Sequence, residues 1–282
     1  MIAELVLAML FGLLLLGIHR KVIARIQRRP GPPVWQEILH AAKFSFKTSW
    51  VPATASGALF AGIVLIAIGI WTAAFFVLMN GGSLLVIFGI YMLHKIVEHG
   101  FGLSSGSPYG KFGGVRSVIS AASEIPLFVG VAVIGFYTHS LDISAIMAYQ
   151  EVSGPLLLIA FPAACAMFLV LLSKMPSGPF SIVEAKELVS GYKTEHFGIW
   201  RAGLEISNGL KTFVLLGTFL AVFVGHLTLP AIIVGMIVLV ILLAFSCALT
   251  PMMSPFDSVT IQTMITGLVL VYAVIVLTVV HP

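Results

Sequence analysis

The chain has 282 residues, 59% of them hydrophobic and only 9% charged, with a mean hydropathy of +1.10. That balance excludes a soluble globular protein and describes an integral membrane protein with no room for a separate soluble domain. The net charge of +4 would suggest nucleic acid in a soluble chain, but here the basic residues stand beside apolar runs, where they set membrane orientation.

A span needs about 20 apolar residues, and eight candidates can be placed, at 2–18, 55–79, 83–97, 118–137, 155–173, 202–224, 229–249 and 259–280. The fold class is therefore all-α, a single membrane domain over 1–282. The chain opens MIAEL with no basic n-region and no small-residue cleavage pattern after it, so the first run reads as a retained span rather than a signal peptide. Loops after the odd-numbered spans, at about 19–54, 98–117 and 174–201, carry or adjoin fourteen of the fifteen Lys and Arg; Lys211 lies inside a span. The positive-inside rule puts these three loops in the cytoplasm and both termini outside.

The first loop holds Arg20, Lys21, Arg25, Arg28, Arg29, Lys43 and Lys47. Within it Arg29-Pro30-Gly31-Pro32-Pro33 cannot continue a helix, because the prolines lack donors and fix their backbone angles. Beyond it Trp35, Ile38, Leu39, Ala42 and Phe46 share one helical face, opposite Gln36, His40, Lys43 and Lys47. That pattern reads as an amphipathic helix along the membrane interface. At the end of the third span His94 with Glu98, and Lys95 with His99, are i,i+4 pairs, which read equally as a solvated helix end or as part of a proton path. The following SSGSPYGKFGG lacks phosphate-loop context and reads as a turn.

The fourth span carries Glu124 among small residues, which fits either a helix-locking hydrogen bond or a proton relay. The stretch 174–211 holds four of the eleven carboxylates, Glu184, Glu187, Glu195 and Glu205. Glu184 and Glu187 share a face of a short helix that Gly191 can end; they read as a coupled acid pair or as a solvated turn paired with Lys186 and Lys193. In the sixth span Glu205, Asn208 and Lys211 step by three along the helix, an acid and an amine joined through an amide. Glu205 and Lys211, six apart, do not share a face, so a direct bridge between them is not expected. Cys165 and Cys247 both lie in apolar runs without a second ligand at metal spacing, which argues against a disulfide framework, a zinc site, and iron–sulfur or haem ligation.

Four blocks, RKVIARIQRRPGPP at 20–33, SEIPL at 123–127, PFSIVEAKELVSGYKTE at 179–195 and EISN at 205–208, resemble the membrane subunit of respiratory complex I that mitochondria number as subunit 1. The chain is most like the version found in energy-converting, membrane-bound nickel–iron hydrogenases, including those of methanogens. The resemblance implies eight spans plus an interfacial helix, and a non-catalytic subunit that binds no cofactor itself. It implies docking by Arg20, Lys21, Arg25, Arg28, Arg29, Pro30, Gly31 and Pro32 to the large and small hydrogenase subunits, which carry the nickel–iron centre and iron–sulfur clusters. It also implies neighbouring antiporter-like and small membrane subunits, a ferredoxin electron donor, and a proton or sodium path in or near Glu124, Glu184, Glu187, Glu195 and Glu205, which Asn208 and Lys211 of the sixth-span ladder would extend. Ser181 stands where the family commonly has an acidic residue, Lys186 alters the acidic run, and His19 and His40 replace usual carboxylates. These departures surround the quinone chamber of complex I and turn the reading away from quinone chemistry. Three rivals remain: a quinone-site subunit of an NADH/quinone oxidoreductase, an autonomous secondary transporter, for which no inverted repeat is evident, and a purely structural anchor.

Overall fold

In a bilayer each backbone N–H and C=O must be satisfied within the protein, so proline-free apolar runs become helices. In the computed structural model, which describes residues 1–119, 125–176, 193, 195–249, 252–276 and 278, the chain is a bundle of helices. In order they are α1 (Ile2–Ile26), α2 (Gln36–Ser45), α3 (Gly57–Met79), α4 (Leu84–Ser104), α5 (Pro108–Ile119), α6 (Ile125–Thr138), α7 (Ile143–Ser153), α8 (Leu156–Ile159), α9 (Phe161–Lys174), α10 (Ile199–Phe223), α11 (Leu229–Cys247) and α12 (Pro255–Ile275). Five of these, α1, α3, α4, α10 and α11, are long and apolar enough to cross a membrane, and α6, α9 and α12 contain shorter apolar stretches. Over the described residues, each expected span thus overlaps at least one apolar helix. Large apolar side chains such as Leu7, Leu65, Leu85, Val234 and Leu268 face outward, as lipid-facing surfaces require.

The centre of the bundle is α10, packed on α1, α3 and α2. Its approach to α1 is close enough that a methyl group on Gly12 would land on the carbonyl of Gly209, and one on Gly209 would meet Leu13 and the carbonyl of Met9. Small residues allow this backbone contact, and association between helices in lipid rests on such packing. The proline loop folds back against α1 in the same way, with Gly17 against the carbonyl of Val34. Gly31 supplies the turn with φ +67°, a conformation glycine adopts at no steric cost.

Four expectations need correction. First, α1 does not stop at 18 but runs to Ile26, so Arg20, Lys21 and Arg25 are helical; basic groups suit a helix C-terminus. Second, the glycine-rich third loop is mostly helix: only the segment around Gly106 (φ +70°) turns, and Pro108 opens α5. Its glycines serve packing, because Gly102 sits against the backbone of Gly110 and Gly114 and brings α4 and α5 into contact. Third, the segment between the fourth and fifth expected spans contains a helix, α7, tied to its neighbours by Gln150, whose Nε2 donates to the Ala221 carbonyl at 3.0 Å and whose Oε1 accepts from Leu156 N–H at 3.1 Å.

Fourth, the fifth span is broken at Ala160 between α8 and α9, with Pro162 in the first turn of α9. Proline lacks the N–H that would continue the ladder from α8. The Tyr272 hydroxyl donates to the Ile159 carbonyl at 3.2 Å and lies 3.0 Å from the Tyr137 hydroxyl, satisfying a backbone group the break exposes. The interfacial helix α2 is present, with Trp35, Leu39 and Phe46 turned away from the protein, as a helix resting on a bilayer surface requires. Its inward contacts are Glu37 and Ala41. Glu37 is buried there because Arg20 of α1 forms an ion pair with it.

Candidate functional site

Apolar helices leave few places for charge, and the structure gathers it where α3, α4, α9 and α10 meet. Tyr91, His94, Lys95 and Glu98 occupy successive turns of one side of α4, by the three- and four-residue helical spacing. Glu98 is the hub. Its Oε2 takes a hydrogen bond from Lys174 Nζ at 3.3 Å and lies 3.5 Å from Lys95 Nζ, and its Oε1 is 3.5 Å from His94 Nε2. Lys174 is the last residue of α9, and its ammonium also lies 4.9 Å from the Tyr91 ring centroid. From α3, Trp71 Nε1 donates to His94 Nδ1 at 3.2 Å. Lys211 of α10 lies within electrostatic range of His94.

Apart from Lys95, which is half-buried, these groups are enclosed: His94 is 3% exposed, Glu98, Lys174 and Lys211 6% each, and Trp71 fully covered. Burying an isolated ion costs several kcal/mol even after relaxation, so such groups persist only when paired and hydrogen-bonded. A carboxylate shared by two ammonium groups and faced by an imidazole can exchange partners by small side-chain movements. That is the chemistry a proton or cation path needs.

A second buried pair lies nearer the start of α10. Glu205 is the seventh residue of that helix, and its Oε1 pairs with Arg201 Nη2 at 2.8 Å, one turn earlier. Arg201 Nη1 also donates to the Lys193 carbonyl at 2.6 Å, and its guanidinium lies 5.8 Å from the Phe44 ring centroid of α2. The next residue along from half-buried Glu195 is His196, stacked on Phe60 at 4.2 Å between ring centroids and edge-on to Phe101. Asn208 is half-buried, and its backbone carbonyl accepts from the Thr212 hydroxyl at 2.8 Å.

Of the path residues read from the sequence, the structure therefore places Glu195, Glu205, Asn208 and Lys211 on or beside α10. Glu205 turns to Arg201, and Lys211 lies within electrostatic range of His94. Glu124, Glu184 and Glu187 lie outside the described residues. On the first loop Lys21 Nζ donates to the Pro30 carbonyl at 3.0 Å, Arg20 is committed to Glu37, and Arg25, Arg28 and Arg29 are exposed. With Pro30, Gly31 and Pro32, Arg20 and Arg29 line an open cleft of about 450 Å³.

The sequence reading misses Lys174 and Trp71, and leaves His94 and Glu98 undecided. Ending the third span at 97 puts Glu98 in a loop, and ending the fifth at 173 does the same to Lys174; α4 in fact continues to Ser104 and α9 to Lys174, and both residues are buried. A signal was present: Tyr91, His94 and Glu98 form a polar stripe at helical spacing on an apolar helix, where a solvated end would scatter its charges.

The sequence profile of the NADH dehydrogenase family matches residues 1–281. The chain belongs to that family. A Methanocaldococcus jannaschii protein named as a candidate NADH-ubiquinone oxidoreductase is 51% identical over 267 residues, covering 93% of this chain and 90% of the relative. Hydrogenase-4 component C of Escherichia coli is 27% identical over 239 residues, covering 79% of this chain and 74% of its own. The fold is that of a chain in an archaeal respiratory membrane complex, the membrane-bound sulfane sulfur reductase, with a TM-score of 0.87 at 24% identity and 96% and 97% of the two chains covered. The resemblance read from the four sequence blocks is thereby borne out for this NADH dehydrogenase family member.

Proposed function

We propose that this chain is the membrane-embedded, ion-translocating subunit of a redox-driven complex, and that the complex is a ferredoxin-linked, energy-converting hydrogenase. The observation that carries the reading is the enclosed Glu98–Lys174–Lys95–His94 cluster. Its charges are costly in a membrane protein, and ion pathways are where such cost recurs. The kinship with hydrogenase-4 component C supports the hydrogenase branch. The peripheral subunits carry the nickel–iron and iron–sulfur centres, antiporter-like and small membrane subunits flank the chain, and loops one, three and five face the cytoplasm. Arg25, Arg28 and Arg29, exposed beside the rigid proline loop, form the face toward the peripheral subunits.

The name of the Methanocaldococcus relative favours a second reading, a quinone-site subunit. Purification of the native complex from membranes separates the two. The hydrogenase reading predicts nickel in the co-purifying subunits and hydrogen release from reduced ferredoxin. The quinone reading predicts an extractable quinone and its reduction. Changing Arg25 and Arg28 to Glu should release the peripheral activity into the soluble fraction; an arm that stays bound at moderate salt removes those residues from docking.

A further inference from the structure

We infer that Trp71 is a positioning residue that holds His94 as the tautomer protonated on Nε2 and closes its Nδ1 to proton exchange. The inference rests on the reading of the Glu98 cluster as part of an ion path. It follows from what each atom can donate. An indole N–H donates and has no acceptor, and a neutral imidazole has one donor and one acceptor nitrogen. Trp71 Nε1 lies 3.2 Å from His94 Nδ1 in hydrogen-bond geometry, so Nδ1 presents its lone pair and the proton sits on Nε2.

The other end of the ring agrees. Nε2 faces Glu98 Oε1 at 3.5 Å, and a carboxylate is the partner an N–H needs. A doubly protonated ring would set N–H against N–H at Trp71, with the ammonium groups of Lys95 on α4, Lys174 on α9 and Lys211 on α10 as its other charged neighbours beside Glu98. The rings are held in place as well: Trp71 is fully covered, and the two stand edge to face at 5.2 Å between centroids.

A histidine relays a proton by accepting at one nitrogen and releasing from the other. Here the accepting nitrogen is occupied by an indole that keeps its own proton. In this arrangement His94 faces Glu98 through Nε2 at 3.5 Å, and protons exchange among Glu98, Lys174 and Lys95. His94 enters the relay only if Trp71 withdraws.

The test is nitrogen NMR of the assembled complex in lipid, with isotope-labelled histidine and the His94 signal assigned by its loss in His94→Gln. The wild type should show one tautomer at neutral pH, with Nδ1 bare and Nε2 protonated; a proton on Nδ1, alone or as imidazolium, overturns the inference. Trp71→Phe keeps an aromatic ring but removes the donor, so it should give a mixture of both tautomers. An assembled Trp71→Phe complex with the single wild-type tautomer would assign the control to Glu98 and reduce Trp71 to space filling. If that variant fails to assemble, a through-hydrogen-bond coupling from the labelled Trp71 indole N–H to a bare His94 Nδ1 in the wild type carries the inference, and its absence overturns it. Ion transport by the charge-deleted Glu98→Gln, Lys174→Met variant tests the underlying reading separately, since it reads the cluster and not the tautomer.

Discussion

Glu98 is held between Lys174 and Lys95 at 3.3 and 3.5 Å, in a site where water does not reach the carboxylate freely. Removing one member of a buried pair strands the other, and such losses run to roughly 3–5 kcal/mol, whereas removing both members together is often close to neutral. Lys174→Met should therefore lower the melting temperature of the detergent-purified protein sharply. The double variant Glu98→Gln, Lys174→Met should recover most of that loss, because Lys95, whose side chain is 13% exposed, already lies near water. Equal destabilisation by the single and double variants would mean that the two side chains are not coupled. Arg201 and Glu205 form a similar pair on α10, but the arginine also holds the Lys193 carbonyl, so its loss reaches beyond the pair.

At the scale of elements, glycine has different meanings at different helical positions. Gly12 of α1 faces the backbone of α10, whereas Gly69 of α3 has nothing within 4 Å of where a Cβ would stand. Gly12→Ala should cost about 1–3 kcal/mol through overpacking, and Gly69→Ala should be neutral or slightly stabilising through helix propensity. Thermal unfolding in detergent compares them directly; equal effects would contradict the close crossing of α1 and α10. The same distinction explains where the sequence misleads. Apolar length is enough to locate all eight expected spans, and Arg-Pro-Gly-Pro-Pro is enough to locate the loop before α2. Gly110 and Gly114 look like turn residues because their use, close contact with Gly102 between α4 and α5, exists only once both helices are placed. Pro162 marks the break before α9, but Tyr272, which satisfies the exposed Ile159 carbonyl, lies 113 residues away in sequence. Lys174 and Glu98 are 76 residues apart, so their pairing has no local signature either.

At the scale of the whole molecule, the charge distribution predicts an orientation. Thr48, exposed in the first loop, should be cytoplasmic, and His226, exposed after α10, should be outside. A cysteine placed at 226 should react with a membrane-impermeant maleimide in intact cells, and one placed at 48 only after permeabilisation. The reverse pattern would invert the bundle. The sequence reading finds the polar steps along α10, but the enclosed hub lies where four helices converge, a property of the assembled bundle.

The most direct measurement is redox-driven ion uptake by proteoliposomes containing the purified complex with Glu98→Gln, Lys174→Met, compared with wild type at matched assembly and electron-transfer rate. The account predicts that the variant complex assembles, transfers electrons and has lost ion transport. Wild-type uptake by that variant would contradict a role for the Glu98–Lys174 pair in coupling redox chemistry to ion movement.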